Sequence, residues 1–172
     1  MKALRQWSNL LFAITFIGAG MGASVAWGQG ACEPFTVYND LDGRVVEFID
    51  SGSQGASVGD MRIGYMPLLD ETGAKVGHHR WTLSVLDPDL DESSGRPSHR
   101  LVTEVLVFDE GEIFFMAIPT SARPPQDTSR PSVRSFEGAV IGGTGPFAFA
   151  RGTVTRTFKE DTASFALNIR CE

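Results

Sequence analysis

Two apolar stretches joined by a short polar turn, HRLVTEVLVFDEGEIFFMAIP at residues 99–119, decide the fold. Both stretches are rich in branched and aromatic side chains, which favour β-strands. The turn Asp109-Glu110-Gly111 is short and polar, as hairpin connections usually are. The segment therefore predicts an antiparallel β-hairpin, and no convincing helical pattern follows or precedes it after residue 28.

Similar segments recur on both sides of this hairpin. Strands are predicted over residues 44–50, 58–68, 76–87, 99–108, 112–119, 135–142, 149–158 and 162–170. Residues 70–73 and 159–161 supply short turns, whereas 88–98 and 121–132 are longer polar loops. Eight strands joined mainly in sequence order predict an all-β, antiparallel up-and-down barrel, in which closure pairs the first strand with the last. A β-sandwich is the alternative, and it would need longer Greek-key connections.

Residues 1–28 have the three zones of a secretory signal peptide. Lys2 and Arg5 give a positive start, an apolar run covers residues 10–17, and small residues follow. Cleavage fits after Ala26 or after Gly28. The sequence therefore predicts a secreted or periplasmic protein.

Two other N-terminal arrangements are less consistent with the residues. An uncleaved membrane anchor would need a longer apolar stretch, and no basic cluster follows this one. A lipid anchor on Cys32 would need an apolar residue where Gln29 stands. We therefore expect no membrane span in the mature chain.

Residues 29–172 have the length of one domain. Removal of Lys2 and Arg5 with the signal takes the formal charge from −6 to −8. An acidic domain without a basic cluster is a poor partner for nucleic acid or anionic lipid. No metal-ligand spacing is present either, so we expect neither a nucleic-acid partner nor a metal site.

The only cysteines, Cys32 and Cys171, lie near the two ends of the mature chain. In an oxidising compartment such a pair usually forms a disulfide. Barrel closure would bring the two ends together, so the disulfide and the barrel are consistent predictions.

Several strands are apolar on both faces. On residues 101–108 the apolar side chains fall at both odd and even positions, and residues 113–118 show the same pattern. A barrel with a solvated outside would carry one polar face. The pattern predicts an apolar lumen and an outer surface covered by other subunits.

A glycine-rich turn is the most specific motif in the chain. It is GGTGPF at residues 142–147, followed by ARG at residues 150–152. No Walker lysine and no following helix support a phosphate loop, so nucleotide binding is disfavoured. Glycines between two strands instead fit a tight bend at a barrel rim.

These residues carry a family resemblance. With FEGAVI at 136–141, the glycine-rich turn resembles the signature of plant dirigent proteins. The segments VGD at 58–60, LLD at 68–70, GAKVG at 73–77 and FDEGEI at 108–113 resemble the related allene oxide cyclases. The resemblance covers about residues 44–170 and implies an eight-stranded barrel, commonly trimeric, with an apolar cavity that directs a cyclisation or stereoselective coupling.

The sequence departs from both families at functional positions. Ile63 and Met66 stand where the cyclases carry a proline and an asparagine, which argues against their oxylipin reaction. Phe136 and Glu137 stand where dirigent proteins commonly have Arg-Glu, so only the glutamate matches. The activity of either family therefore does not transfer intact.

Carboxylates inside apolar strands are the first candidates for catalytic residues. Glu104 lies between Val102 and Leu106, and Glu137 lies beside the dirigent-like turn. In an apolar lumen the pKa of such a group should rise, which suits a general acid or base. The structural alternative is a salt bridge to an arginine such as Arg80 or Arg100.

Polar groups on two other strands are further candidates. Asp60 and Arg62 share one strand face, where they could form an ion pair at the rim or hold a ligand between them. Tyr65 lies on the opposite face, where its hydroxyl could contact a carbonyl group or its ring could simply pack. His79 shares a strand face with Trp81, and both are candidates for contacts with a ligand. The alternative for His79 is a purely structural role.

The remaining ligand-binding candidates are Arg151, which otherwise braces the rim turn, and three apolar side chains that form cavity wall or core: Phe114, Met116 and Phe147. Together the observations predict an exported, homotrimeric barrel that binds a hydrophobic small molecule and acts on it without a cofactor. A lipocalin-like carrier and a structural envelope oligomer are the alternatives, and polar groups at the lumen centre would favour the enzyme.

Overall fold

The computed structural model describes residues 32–52, 57–87, 98–121, 134–159 and 161–171. Ten strands and one turn of 3-10 helix follow one another: β1 Phe35–Asn39, β2 Val45–Ile49, β3 Met61–Leu69, β4 Lys75–Val85, β5 Ser98–Phe108, β6 Glu112–Ala117, β7 Thr120–Ser121, β8 Arg134–Gly143, the 3-10 turn Gly145–Phe147, β9 Ala150–Lys159 and β10 Thr162–Cys171. All eight predicted strands are present. The predicted signal peptide and most of both predicted long loops lie outside the described residues.

Eight antiparallel strands close the barrel, in the order β1, β10, β9, β8, β6, β5, β4 and β3. Strand β1 completes the circle because it pairs on one side with β10, Phe35 opposite Leu167, and on the other with β3, Tyr38 opposite Leu69. The predicted eight-stranded barrel is confirmed. The closing strand, however, is β1, which the sequence analysis missed, and β2 extends along the same edge of β3 as an additional strand.

The two ends of the described chain are joined by the disulfide Cys32–Cys171, whose Cα atoms lie 5.7 Å apart. The predicted disulfide is thereby confirmed. Its position follows from the topology, since β1 begins beside the end of β10. In the part of the chain that is described, no helix is long and apolar enough to cross a membrane.

One end of the barrel is filled by aromatic side chains. Phe147, fully buried in the 3-10 turn, packs against Phe35 and Phe108 with ring centroids 6.3 and 5.4 Å away. Gly145 in the same turn has φ +60°, and a Cβ there would overlap the carbonyl oxygen of Glu110. The glycine-rich motif is therefore a structural turn that packs against the β5–β6 hairpin.

The alternation of β5 and β6 decides which side chains face inward. Val102, Leu106 and Phe115 are buried inside the barrel. Phe114 and Met116 point to the outer face and are half-buried, so their assignment to the cavity wall was wrong. Because both faces of these strands are apolar, hydrophobicity alone could not fix which face is inside.

The outer surface keeps exposed apolar side chains, most densely on β2. Every residue of β2 is exposed, and Val45 and Phe48 each keep 57% of their surface. Ile63 on the neighbouring strand and Ile118 after β6 are also exposed. Exposed apolar surface of this kind, most of it on β2 and β3, usually marks an interaction site or an aggregation liability.

We therefore predict that the mature protein forms a closed oligomer, a trimer by the family resemblance, which covers this surface. Light scattering at micromolar concentration should give a multiple of the monomer mass. A second measurement on Phe48→Glu should show partial dissociation, because the charge would have to be buried in the contact. A monodisperse monomer for the unmodified protein would contradict the prediction.

Candidate functional site

Four strands place polar side chains inside the barrel. Asn39 comes from β1, His79 from β4, Glu104 from β5 and Arg156 from β9, and their exposed fractions are 6, 0, 0 and 5%. Each occupies an inward position of its strand, where the neighbouring inward residues are mainly apolar. The lumen therefore contains polar and charged side chains in addition to the apolar ones that the sequence pattern predicted. We call these four residues the buried polar network.

Glu104 and Arg156 form its charged centre. The Arg156 Nη1 donates to both carboxylate oxygens of Glu104, at 2.8 and 2.9 Å. This single-nitrogen contact leaves the buried Nε–H of Arg156 without a partner among the described residues. The guanidinium also lies over the rings of Phe158 and Phe165, 4.4 and 5.0 Å from their centroids, which adds cation–π contacts.

His79 extends the network on the other side of the carboxylate. Its Nε2 lies 2.6 Å from Oε2 of Glu104, and this contact is one of the causes that lower the pKa of the carboxyl. Its Nδ1 is 3.5 Å from the Asn39 amide nitrogen, a long contact. An ionised Glu104 favours the tautomer with the proton on Nε2 and Nδ1 as the acceptor.

The charges of the network follow from the balance between burial and pairing. Burial tends to raise the pKa of Glu104, but Arg156 and His79 outweigh it and hold the pKa below its usual value. Burial lowers the pKa of His79, although Glu104 opposes this shift. At neutral pH the centre is therefore a carboxylate, a guanidinium and a neutral imidazole, and the raised Glu104 pKa expected from the sequence was wrong.

Aromatic and aliphatic side chains surround the charged centre at the end of the barrel opposite Phe147. Trp81, Leu83, Phe136 and Phe158 occupy inward positions but are only half-buried. The Trp81 ring lies over Gly64, where a Cβ would overlap it, and its buried Nε1–H has no partner among the described residues. We call these four residues the aromatic end. It combines apolar walls with unpartnered donors, as small-molecule sites do.

Three of the residues expected in the site lie on the outer face. Glu137 is exposed on β8, so the structure places it away from the lumen. Tyr65 stacks on His78 with centroids 5.4 Å apart, outside the barrel. Arg151 is exposed and donates to the adjacent carbonyl of Ala150 at 2.7 Å, which fits its alternative as a brace of the rim turn.

Asp60 and Arg62 do not form the expected pair. Asp60 is 1% exposed and accepts hydrogen bonds from the backbone N–H groups of Ser51 and Ser57 and from the Ser57 hydroxyl. These bonds lower its pKa and make it a structural residue that stabilises the segment before β3. Arg62 is exposed and lies over the ring of Phe48, 5.9 Å from the centroid.

Two members of the network were missed by the sequence analysis. The sequence does contain a pattern that could have identified Arg156. The polar face of β9 is formed by Thr153, Thr155 and Thr157, so alternation places Arg156 on the inward face with Val154. Asn39 carries none, since β1 is a five-residue strand that pattern analysis did not detect. Among the described residues, no group of three or more His, Cys, Asp and Glu side chains is arranged to hold a metal ion.

Comparisons with known proteins identify similar folds. No family model matches the sequence, and no curated protein matches it either. A pyocyanin demethylase is similar in structure at 23% identity and a TM-score of 0.60, over 80% of this chain and 99% of that one. The Diels-Alderase AbmU from Streptomyces koyangensis is similar at 14% identity and a TM-score of 0.53, over 82% of this chain.

A third similar structure is a heme-binding cyclase that catalyses [4 + 2] cycloaddition in neoabyssomicin biosynthesis, at 13% identity and a TM-score of 0.51. This chain spans 63 and 64% of the length of AbmU and of that cyclase. The comparisons show a shared small β-barrel fold. These barrels are not dirigent proteins or allene oxide cyclases, so the resemblance is supported for the barrel and not for that superfamily.

The pKa directions predict that stability falls on acidification. In the folded protein the pKa of His79 lies below its ordinary 6.5 and that of Glu104 below its ordinary 4.5. Just below pH 6.5 and again just below pH 4.5, the unfolded chain therefore binds more protons than the folded one. The stabilisation from each group is complete above these values and is lost as the pH falls. Urea unfolding measured from pH 7.5 to pH 4 should therefore show a decreasing free energy of unfolding.

His78 provides a matched control for this measurement. Its pKa is also lowered, by burial and by the charges of Arg80 and Lys75, but it lies on the outer face. Just below pH 6.5 the free energy of unfolding should decrease less in His79→Gln than in His78→Gln. Equal effects of the two substitutions, or a stability independent of pH, would show that His79 is not held neutral by burial.

Proposed function

We propose that the barrel binds a hydrophobic, conjugated small molecule at the aromatic end and directs a cofactor-free cyclisation or stereoselective coupling there. The observation that carries this proposal is the buried polar network. An ionised carboxylate, a guanidinium and a neutral imidazole are held together inside an otherwise apolar barrel. Burying charges is costly, so their retention at the centre of a small barrel needs a reason.

The network has the parts that proton transfer requires. The neutral His79 is the group that can accept a proton at neutral pH, and the ionised Glu104 beside it balances the charge that the imidazolium would carry. Arg156 stabilises negative charge that develops next to the carboxylate. The Arg156 Nε–H and the Trp81 Nε1–H are both buried and unpartnered among the described residues, so each would be satisfied by an oxygen of a molecule that displaces the walls around it.

The aromatic end supplies the binding surface. Phe136 and Phe158 lie against the guanidinium of Arg156, and Trp81 occupies an inward position of β4 with its ring over Gly64. Flat ring faces favour a planar or conjugated molecule, because stacking adds to the apolar area that is buried. The same surface would hold such a molecule in a folded conformation, which is what an intramolecular cyclisation needs.

The similar structures support an enzyme over a carrier. A demethylase and two cycloaddition enzymes share the barrel, and all three act on small molecules. A carrier would be served by an apolar lumen without charges. Export to the periplasm or the medium is part of the proposal, supported by the N-terminal residues and by the Cys32–Cys171 disulfide.

The test compares two glutamates of the same chain. Glu104→Gln removes the ionised carboxylate from the network, while Glu137→Gln makes the same change on the outer face. Turnover of a panel of conjugated carbonyl compounds whose cyclisation moves a proton should fall by roughly 10²–10⁴ in Glu104→Gln and stay unchanged in Glu137→Gln. Thermal unfolding of both variants identifies any loss that is due to misfolding.

Ligand binding separates the proposal from its alternative. Intact-complex mass spectrometry of the exported protein detects molecules that co-purify, and these should remain bound to Glu104→Gln. A bound hydrophobic molecule with no turnover in the unmodified protein would establish a carrier. Equal turnover in Glu104→Gln and the unmodified protein would end the proposed role of the carboxylate.

A further inference from the structure

The side chain of Asn39 faces one nitrogen of His79 inside the barrel. Asn39 is the last residue of β1 and is 6% exposed, and its Nδ2 lies 3.5 Å from Nδ1 of His79. On the other side of the ring, Nε2 lies 2.6 Å from Oε2 of Glu104. Because the imidazole is fully buried, these two contacts decide what each of its nitrogens can do.

The two contacts place the lone pair of the neutral imidazole at Nδ1. An ionised carboxylate only accepts hydrogen bonds, so the nitrogen beside Glu104, Nε2, carries the proton. The Asn39 Nδ2 only donates, so the nitrogen beside it carries the lone pair. A proton that His79 accepts must therefore add at Nδ1 and turn it into a second N–H donor. With the amide in its present orientation, two donors would then face each other.

The second polar atom of the same amide can remove this conflict. The Oδ1 of Asn39 is buried and has no hydrogen-bond partner among the described residues. Rotation of the amide by about 180° exchanges Nδ2 and Oδ1, since χ2 of asparagine is broad and roughly two-fold. This rotation breaks no hydrogen bond at Oδ1, and it presents an acceptor to a protonated Nδ1.

The other groups around His79 cannot take this place. Strand β5 contributes Glu104, whose carboxylate contacts the opposite nitrogen, and β9 contributes Arg156, a cation that accepts no hydrogen bond. The ring of Phe165 on β10 lies edge-on at 4.8 Å, and Met66 is the cross-strand neighbour on β3. Within the described part of the chain, Asn39 is therefore the residue that can offer an acceptor to Nδ1.

We propose that Asn39 is a positioning residue for His79, whose amide donates to Nδ1 of the neutral imidazole and turns over to accept from Nδ1–H of the imidazolium. The proton adds to the Nδ1 lone pair, Nε2 keeps its own proton, and Glu104 balances the positive charge. The proton comes from the bound molecule, which keeps the electron pair, or from the solvent on acidification. The part of this exchange in turnover rests on the proposed function, whereas the two orientations of the amide do not.

Nitrogen-15 NMR of the disulfide-bonded mature protein follows both partners, because protonated and bare imidazole nitrogens have well-separated chemical shifts. The chain has three histidines, and the signals of His79 are those that disappear in His79→Gln. At pH 7.5 Nε2 should be protonated and Nδ1 bare. On acidification Nδ1 should gain a proton with a midpoint below 6.5, and the side-chain amide signals of Asn39 should shift with the same midpoint.

Two substitutions change what position 39 can offer to the ring. Asn39→Asp keeps the size of the side chain and offers a carboxylate, so the midpoint of His79 should rise by about one unit or more. Asn39→Leu offers no polar atom. Since a hydrogen bond from the imidazolium is stronger than one to the neutral ring, the midpoint should then fall, by about half a unit to one unit. Asn168→Asp makes the first change on the exposed face of β10 and should leave the midpoint unchanged.

Turnover gives a second readout that depends on the proposed function. The acidic limb of the pH–rate profile should move with the His79 midpoint, upward in Asn39→Asp and downward in Asn39→Leu. If the unmodified protein shows no turnover, the proposed function fails while the NMR midpoints still decide the role of Asn39. The two failures can therefore be told apart.

Three results would overturn the proposal. A midpoint that rises in Asn39→Leu would mean that the amide only donates to the neutral ring. Asn39 amide signals that do not follow the titration of His79 would mean that the amide keeps one orientation, and this measurement needs no variant to fold. A His79 that keeps a single proton down to the pH of unfolding, monitored by circular dichroism on the same samples, would leave no imidazolium for the amide to stabilise.

Discussion

The ion pair between Glu104 and Arg156 constrains the rest of the barrel interior. Strands β5 and β9 are not neighbours in the sheet, so their charges meet across the lumen. Each charge is nearly or fully buried, and either one alone would be strongly destabilising. The pair joins the inward faces of β5 and β9, and the ring of Phe158 lies against the guanidinium that the pair holds in place.

The two ends of the barrel, on either side of this pair, are filled differently. At one end Phe147, Phe35 and Phe108 fill the interior, and the glycine-rich turn brings the chain close enough to cover them. At the other end the inward rings stay half-buried around charged groups. Under the proposed function, a molecule bound at this end would meet apolar walls first and the carboxylate last, an arrangement that desolvates a reacting group beside fixed charges.

Much of the fold was predictable because strand periodicity and turn residues are local signals. The disulfide followed from compartment and closure, and Glu104 stood out as a carboxylate in an apolar strand. Its partner was not predictable in the same way, since Arg156 lies 52 residues away and meets it only through the barrel topology. Phe114 and Met116 were placed inside because two apolar faces leave the strand orientation undetermined. The pKa of Glu104 was expected to rise because burial was given more weight than the alternative salt bridge, and the arginine that forms this bridge is Arg156 rather than Arg80 or Arg100.

Glu104 and Arg156 should stabilise the barrel as a pair. A double-mutant cycle with Glu104→Gln and Arg156→Met, followed by urea unfolding at pH 7, measures their coupling directly. Each single substitution should cost about 3–5 kcal/mol, because it leaves the other group buried without its partner. The double substitution should cost less than the sum by about 2 kcal/mol or more. Additive effects of the two substitutions would contradict this account of the interior.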